Sequence, residues 1–233
     1  VQFVNAIIVE NLNYTYPDGR RGLRDVFLSV EDGSRVALVG SNGSGKSTFL
    51  LHLNGLLNGT GLIEIMGVSR SRKNMKLIRK KIGYLFSHID YQFIMPDLLN
   101  DIMISIPGGI DMESKIGEAR TWLNKFKLSD YEQYSPLELS SGEMKRAALA
   151  GVLARKPDVL ILDEPLNAVD RKASMDLIEI LSSLHHTMIM ATHRQLLVRE
   201  LATHVAVMEN GSIAGYYTVK EGLKRDDVQG LLI

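Results

Sequence analysis

Apolar positions along the chain follow two rhythms, one of period two and one near 3.6. "AIIVENLNYTY" and "LRDVFLSV" alternate or run apolar, with the turn-forming "PDGRRG" between them, and predict two strands. "RVALVG" is short and, after Arg35, wholly apolar, as in a strand buried on both faces. It enters a glycine-rich loop, beyond which "STFLLHLNGLL" carries helical spacing. "GLIEIMG" predicts a further strand. Met112, Ile116, Ala119, Leu123 and Phe126 recur at helical intervals, so "MESKIGEARTWLNKF" predicts an amphipathic helix. A second helix opens at "SSGEMKRAALAGVLA". Strands then return as "DVLILDE", "TMIMAT" and "HVAVMEN", the last joined through Asn210-Gly211 to "SIAGYYT" as a hairpin. Strands alternating with helices imply an α/β fold with a mainly parallel sheet covered by helices. The closing "EGLKRDDVQGLLI" is too short for another domain, and no repeat or long linker interrupts the pattern.

Composition narrows this picture. At 233 residues the chain can bury a full core, as one domain or a domain with a subdomain. Lys plus Arg equals Asp plus Glu at 27 each, which removes the global argument for a nucleic-acid or membrane-surface partner. A local patch stays open: "SRSRKNMKLIRKKIG" reads either as a solvated helix face or as a phosphate-binding patch. The absence of cysteine excludes disulfides and thiolate metal sites. No apolar run approaches the ~18 residues that span a bilayer, and no signal-peptide pattern opens the chain. A soluble, cytoplasmic chain is expected, with an initiator residue or short leader missing before Val1.

Three stretches carry chemistry. "GSNGSGKS", with Gly40, Gly45, Lys46 and Ser47 in place, fits a P-loop between a strand and a helix. Its glycines turn backbone N–H groups toward phosphate oxygens, Lys46 reaches the β- and γ-phosphates, and the Ser47 hydroxyl suits Mg²⁺. "VLILDEP" ends an apolar strand in two acids facing different directions. Asp163 suits the Mg²⁺ shell, and Glu164 suits orienting a water near the γ-phosphate. "MIMATH" ends a third strand in His193, which beside Glu164 reaches a γ-phosphate; alone it is a structural histidine. His185 and His186 lack ligand-like companions and read as surface residues. Ser140 with Glu143 fits a capping box at a helix start. That turn serves either local stability, at about 1 kcal/mol, or an anion site at the helix N-terminus.

The order P-loop, "LSSGE", "LILDEP", "NAVD", "ATH" resembles the ATP-binding cassette ATPases over essentially the whole chain. "YPDGRRGLRDVFLSV", "LHLNGLL", "IGYLFSHIDYQFIMPDLLNDI" and "AGVLARKPDVLILDEP" are similar to the ATPase subunits of energy-coupling-factor importers, which take up cobalt, nickel and vitamins. The resemblance implies a single ATPase domain over 1–233. Its nucleotide-binding core would span 1–88 and 144–233, with an N-terminal antiparallel β subdomain, and a helical subdomain would occupy 89–143. It further implies ATP held by Tyr16 and by Gly40, Ser41, Asn42, Gly43, Ser44, Gly45, Lys46, Ser47 and Thr48. Glu164, His193 and Lys46 would be catalytic, with Mg²⁺ on Ser47 and Asp163. Ser140, Ser141, Gly142 and Glu143 would be a signature turn meeting the nucleotide of a second ATPase chain, and Asp170 would couple the two sites. Phe93, Ile94, Met95, Leu98 and Leu99 would line a groove for an integral-membrane subunit, at the cytoplasmic face of the membrane.

The chain departs from the family at three places. Ser87 stands where a glutamine usually contacts Mg²⁺ and the attacking water; serine reaches that position only through an intervening water. Gln92, five positions on, is not read as its replacement. Ser141 stands where the signature usually has glycine, and "LNAVD" replaces a loop commonly led by threonine or serine. These changes predict weakened Mg²⁺ binding or coupling, in a heterodimer or a tolerant homodimer. Two rival readings are an ATPase of another transporter class and a low-turnover, nucleotide-gated interaction module.

Overall fold

A computed structural model describes residues 5–233. β1 (Asn5–Thr15) and β2 (Arg21–Glu31) form an antiparallel pair closed by the turn that begins at Tyr16. β3 (Arg35–Val39) leads through the glycine loop into α1 (Lys46–Leu53). β4 (Thr60–Ile65) and β5 (Val68–Ser69) complete a four-stranded antiparallel sheet, ordered β2-β1-β4-β5. α2 (Met75–Lys81) runs directly into β6 (Ile82–Leu85). α3 (Leu98–Ser105), α4 (Met112–Lys125) and α5 (Ser141–Ala154) follow and pack on one another.

The second half alternates strand and helix as the sequence pattern predicts. β7 (Val159–Asp163), α6 (Arg171–Ser182), β8 (Thr187–Ala191), α7 (Gln195–Leu201), β9 (His204–Glu209) and β10 (Ser212–Thr218) follow in turn. Two short helices, α8 (Val219–Gly222) and α9 (Asp226–Gln229), end the described chain. β10-β9-β3-β8-β7-β6 is the order of the large sheet, parallel throughout except for the β9–β10 hairpin. Asn210 and Gly211 both take positive φ at that hairpin, the twist a two-residue turn needs.

Period-two alternation explains why both sheet faces are covered. From β3, Ala37 and Val39 enter one core while Val36 and Leu38 enter the other. β7 divides the same way, with Leu160 and Leu162 on one side and Val159 and Ile161 on the other. The first core is closed by α3 to α7, the second by α1 and the small sheet.

Three details differ from the sequence reading. On α4, Ala119, Leu123 and the C-terminal Phe126 are buried, but Met112 is 65% exposed and Ile116 half-buried. The first turn of that helix projects past the core, so the apolar stripe is used only from its second turn. In the basic run, Arg72, Lys73, Lys76, Arg79 and Lys80 form the solvated face. Arg70 does neither job proposed for the run: its guanidinium donates to the carbonyls of His52 at 2.9 Å and Leu57 at 3.1 Å, closing the loop after α1. His185 is exposed as expected, whereas His186 is half-buried and burial holds its pKa below the usual imidazole value.

Phe126 is fully buried where α4 meets α5, and its carbonyl accepts from Arg146 Nε at 3.1 Å. Phe126→Ala is expected to cost about 3–5 kcal/mol through lost burial and the cavity left behind. Urea denaturation followed by tryptophan fluorescence would measure it.

Candidate functional site

Parallel strands deliver their carboxyl ends to one edge of the large sheet, and the candidate site lies there. β3 supplies the glycine loop, β6 the segment with Ser87, β7 the acids and β8 the segment with His193. A cleft of about 380 Å³ is lined by Tyr16, Asn42, Lys46, Ser47, Ser87 and Asp163, with Glu164 beside them.

The loop's shape follows from its glycines. A Cβ on Gly40 would meet the Met208 carbonyl at 2.3 Å and the Ser44 hydroxyl at 2.6 Å, so only glycine allows β9 to approach. Gly43 and Gly45 take φ of +81° and +110°, a region that L side chains avoid. Gly45 is the N-cap of α1, and no side chain caps that helix, so its first N–H groups open on the cleft. Lys46 folds back, donating to the carbonyls of Gly40 at 2.7 Å and Ser41 at 3.1 Å. Burial lowers its pKa, opposed by the charges of Glu164 and Asp163.

Next to Lys46, the Ser47 hydroxyl donates to Asp163 Oδ1 at 3.2 Å. Burial raises the Asp163 pKa, with the Ser47 hydrogen bond opposing it and Glu164 adding to it. Two hard oxygen donors side by side, one of them a desolvated carboxylate, fit Mg²⁺. Glu164 sits one residue on, at φ +50°. His193 Nδ1 donates to Glu164 Oε1 at 3.0 Å, while Oε2 is buried with no hydrogen-bond partner among the described residues. An orphaned carboxylate oxygen on a residue that lines the cleft has the chemistry of a proton acceptor.

Tyr16 reaches the cleft through its hydroxyl, which lies 2.6 Å from Thr48 Oγ1, and the Arg20 guanidinium lies 4.8 Å above its ring. Ser87 lines the cleft with its neighbour His88. Gln92 is turned away, accepting from Phe86 N and donating to the Tyr84 carbonyl, both at 3.2 Å. It fastens the end of β6 and does not replace the missing glutamine.

Other predicted residues lie elsewhere. Ser140 caps α5 in a complete capping box: Glu143 N–H donates to Ser140 Oγ at 3.4 Å, and Ser140 N–H donates to Glu143 Oε2 at 2.9 Å. Ser140 and Ser141 are exposed and do not line the cleft, whereas Gly142 is buried where a Cβ would strike Ala173 Cβ at 2.5 Å. Asp170 caps α6, accepting from Ala173 N–H at 2.9 Å. Of the residues assigned to a partner groove, Ile94 is 79% exposed and lines a depression with Phe93, Met95 and Leu137. Leu98 and Leu99 do not belong there. Asp97 starts α3 at that point, and its first two residues turn into the core.

Sequence reasoning missed Arg20, Arg21, His88 and Asn167, all on the cleft wall. "PDGRRG" signals a turn without saying that the turn folds over a loop twenty residues away.

Residues 23–167 match the ABC transporter family. The energy-coupling factor transporter ATP-binding protein EcfA2 of Methanospirillum hungatei is 39% identical over 92% of this chain, which covers 56% of that protein's length. EcfA2 of Ligilactobacillus salivarius is 38% identical over 93% of this chain and 80% of its own. The structure of cbiO1 from Clostridium perfringens, described as part of the ABC transporter complex cbiONQ, superposes with a TM-score of 0.84 at 29% identity. That superposition covers 96% of this chain and 92% of that one. Since the matched segment takes in more than half of the sequence, the chain belongs to the ABC transporter family.

Proposed function

We propose that this chain is the ATP-hydrolysing subunit of an energy-coupling-factor importer for a metal ion or vitamin. It would act at the cytoplasmic face of the membrane, with a second ATPase chain and an integral-membrane subunit. No helix among the described residues is long and apolar enough to cross a membrane, so passage of cargo would fall to that partner. The observation that carries the reading is the convergence of Lys46, Ser47, Asp163 and Glu164 on one cleft, with His193 bonded to Glu164. Identity of 39% to the Methanospirillum protein supports the importer class. On this reading the nucleotide-binding core is 1–88 and 144–233 and the helical subdomain 89–143; α3, α4 and the start of α5, which lie between β6 and β7, support the insertion.

In this mechanism Tyr16 stacks on adenine, and Gly40 to Thr48 wrap the phosphates with backbone N–H groups. Lys46 exchanges its two carbonyl partners for phosphate oxygens. Ser47 and Asp163 would hold Mg²⁺, which when bound offsets the charge of the β- and γ-phosphates. Glu164 accepts a proton from water as the water oxygen bonds the γ-phosphorus. The bond to the β–γ bridging oxygen then breaks, giving ADP and phosphate. A carboxylate only accepts, so His193 donates from Nδ1 and holds Glu164 in place.

Ser140 and Ser141, the exposed part of the turn, lie off their own cleft, which suits a role at the nucleotide of a second chain, with Asp170 between the sites. The γ-phosphate would join the two chains, and its loss would release them. Phe93, Ile94 and Met95 offer the membrane subunit an apolar depression beside Leu137.

Two experiments test the reading. Glu164→Gln should keep ATP binding, lower turnover at least 100-fold and trap an ATP-dependent dimer visible by light scattering. A monomer at saturating ATP and Mg²⁺ would mean that this chain closes only on a different partner. Ser87→Gln should raise turnover or Mg²⁺ affinity at least two-fold in a steady-state assay. No gain would mean that the gap is already bridged.

A further inference from the structure

Helix α5 carries a buried charge that this chemistry does not use. Lys145 is 3% exposed, and its ammonium donates to the main-chain carbonyl of Glu164 at 2.8 Å. The same carbonyl accepts from Asn167 N–H at 3.1 Å, and Glu164 N–H donates to the Ala191 carbonyl at 3.0 Å. Both backbone polar groups of Glu164 are therefore tied. The residue they hold is at φ +50°, a conformation that a non-glycine residue keeps only where its surroundings impose it.

Stability alone does not account for a lysine here. Burial holds its pKa down to about 8, against the pull of the Glu164 and Asp163 charges. Desolvating an ammonium is unfavourable, and an unbranched apolar side chain of similar length would fill the same space without that penalty. What such a side chain lacks is the donor to the Glu164 carbonyl. We infer that Lys145 is a positioning residue for the reaction: it fixes the backbone of Glu164 in the left-handed turn that aims the carboxylate into the cleft. This rests on Glu164 being the proton acceptor.

The test uses the full chain with its co-purifying subunits and the variant Lys145→Met. Expected are a kcat at least 10-fold lower, with KM and Kd for ATP within two-fold of wild type and a Tm equal or higher. A kcat within two-fold of wild type overturns the inference, and so does a kcat that falls together with Tm or with soluble yield. A second arm places Lys145→Met in the Glu164→Gln background and follows single-turnover hydrolysis. If Lys145 acts through Glu164, the added loss is less than two-fold; a full further 10-fold loss overturns it. Should Glu164→Gln itself leave turnover intact, the proposed function fails. Should Glu164→Gln abolish turnover while Lys145→Met does not, only the positioning role falls.

Discussion

Burial of the large sheet on both faces is the constraint from which the site follows. A strand with apolar neighbours above and below has no room for charge along its length, so polar side chains are pushed to its ends. β7 is buried from Val159 to Asp163, and its acids come only at the carboxyl terminus. β3 likewise is apolar and buried from Val36 to Val39, between Arg35 at its start and the glycine loop it releases. Parallel pairing then matters, because it sets these polar ends side by side at one edge. An antiparallel sheet of the same strands would have scattered them between two edges.

The edge so formed is electrostatically unfinished. Two acids, Asp163 and Glu164, face two lysines, Lys46 and Lys145, in surroundings dry enough to lower both lysine pKa values and raise that of Asp163. Yet the lysines spend their hydrogen bonds on carbonyls rather than on the carboxylates. Direct ion pairs would neutralise the site and leave nothing for a phosphate or a cation to do. Keeping the charges apart leaves unfavourable energy in the site that the proposed nucleotide and Mg²⁺ would relieve, a common trade of stability for function.

The parts legible in the sequence were those whose signal is local. The strand-loop-helix context of Gly40 to Ser47, the acids ending β7, the Asn210-Gly211 turn and the Ser140–Glu143 box all lie where pattern and turn chemistry place them. What stayed hidden depends on approach between distant segments. Lys145 looks like any lysine on an amphipathic helix until the fold buries it and brings it to the Glu164 carbonyl. Arg70 looks like part of a basic surface until its guanidinium finds the carbonyls after α1. Leu98 and Leu99 sit in a run of apolar residues whose orientation is decided by Asp97, the cap that starts a helix beneath them. Sequence spacing carries periodicity, but not which face of a short helix the rest of the molecule will cover.

The serine turn before α5 joins these arguments. A capping box satisfies the first donors of the helix from within, through Ser140 and Glu143, so the turn is stable with nothing bound. Gly142 is held against Ala173 too tightly for any side chain, which fixes where α5 starts relative to α6. Lys145 follows Ser140 by five residues, about 7.5 Å along the helix axis, and grips Glu164 from the next turn. One rigid segment thus carries both the exposed turn and the donor that holds the proposed base. The proposed partner contact at Ser140 and Ser141 and the proposed setting of Glu164 would in this way share one helix, whose close seat on α6 depends on the missing side chain of Gly142.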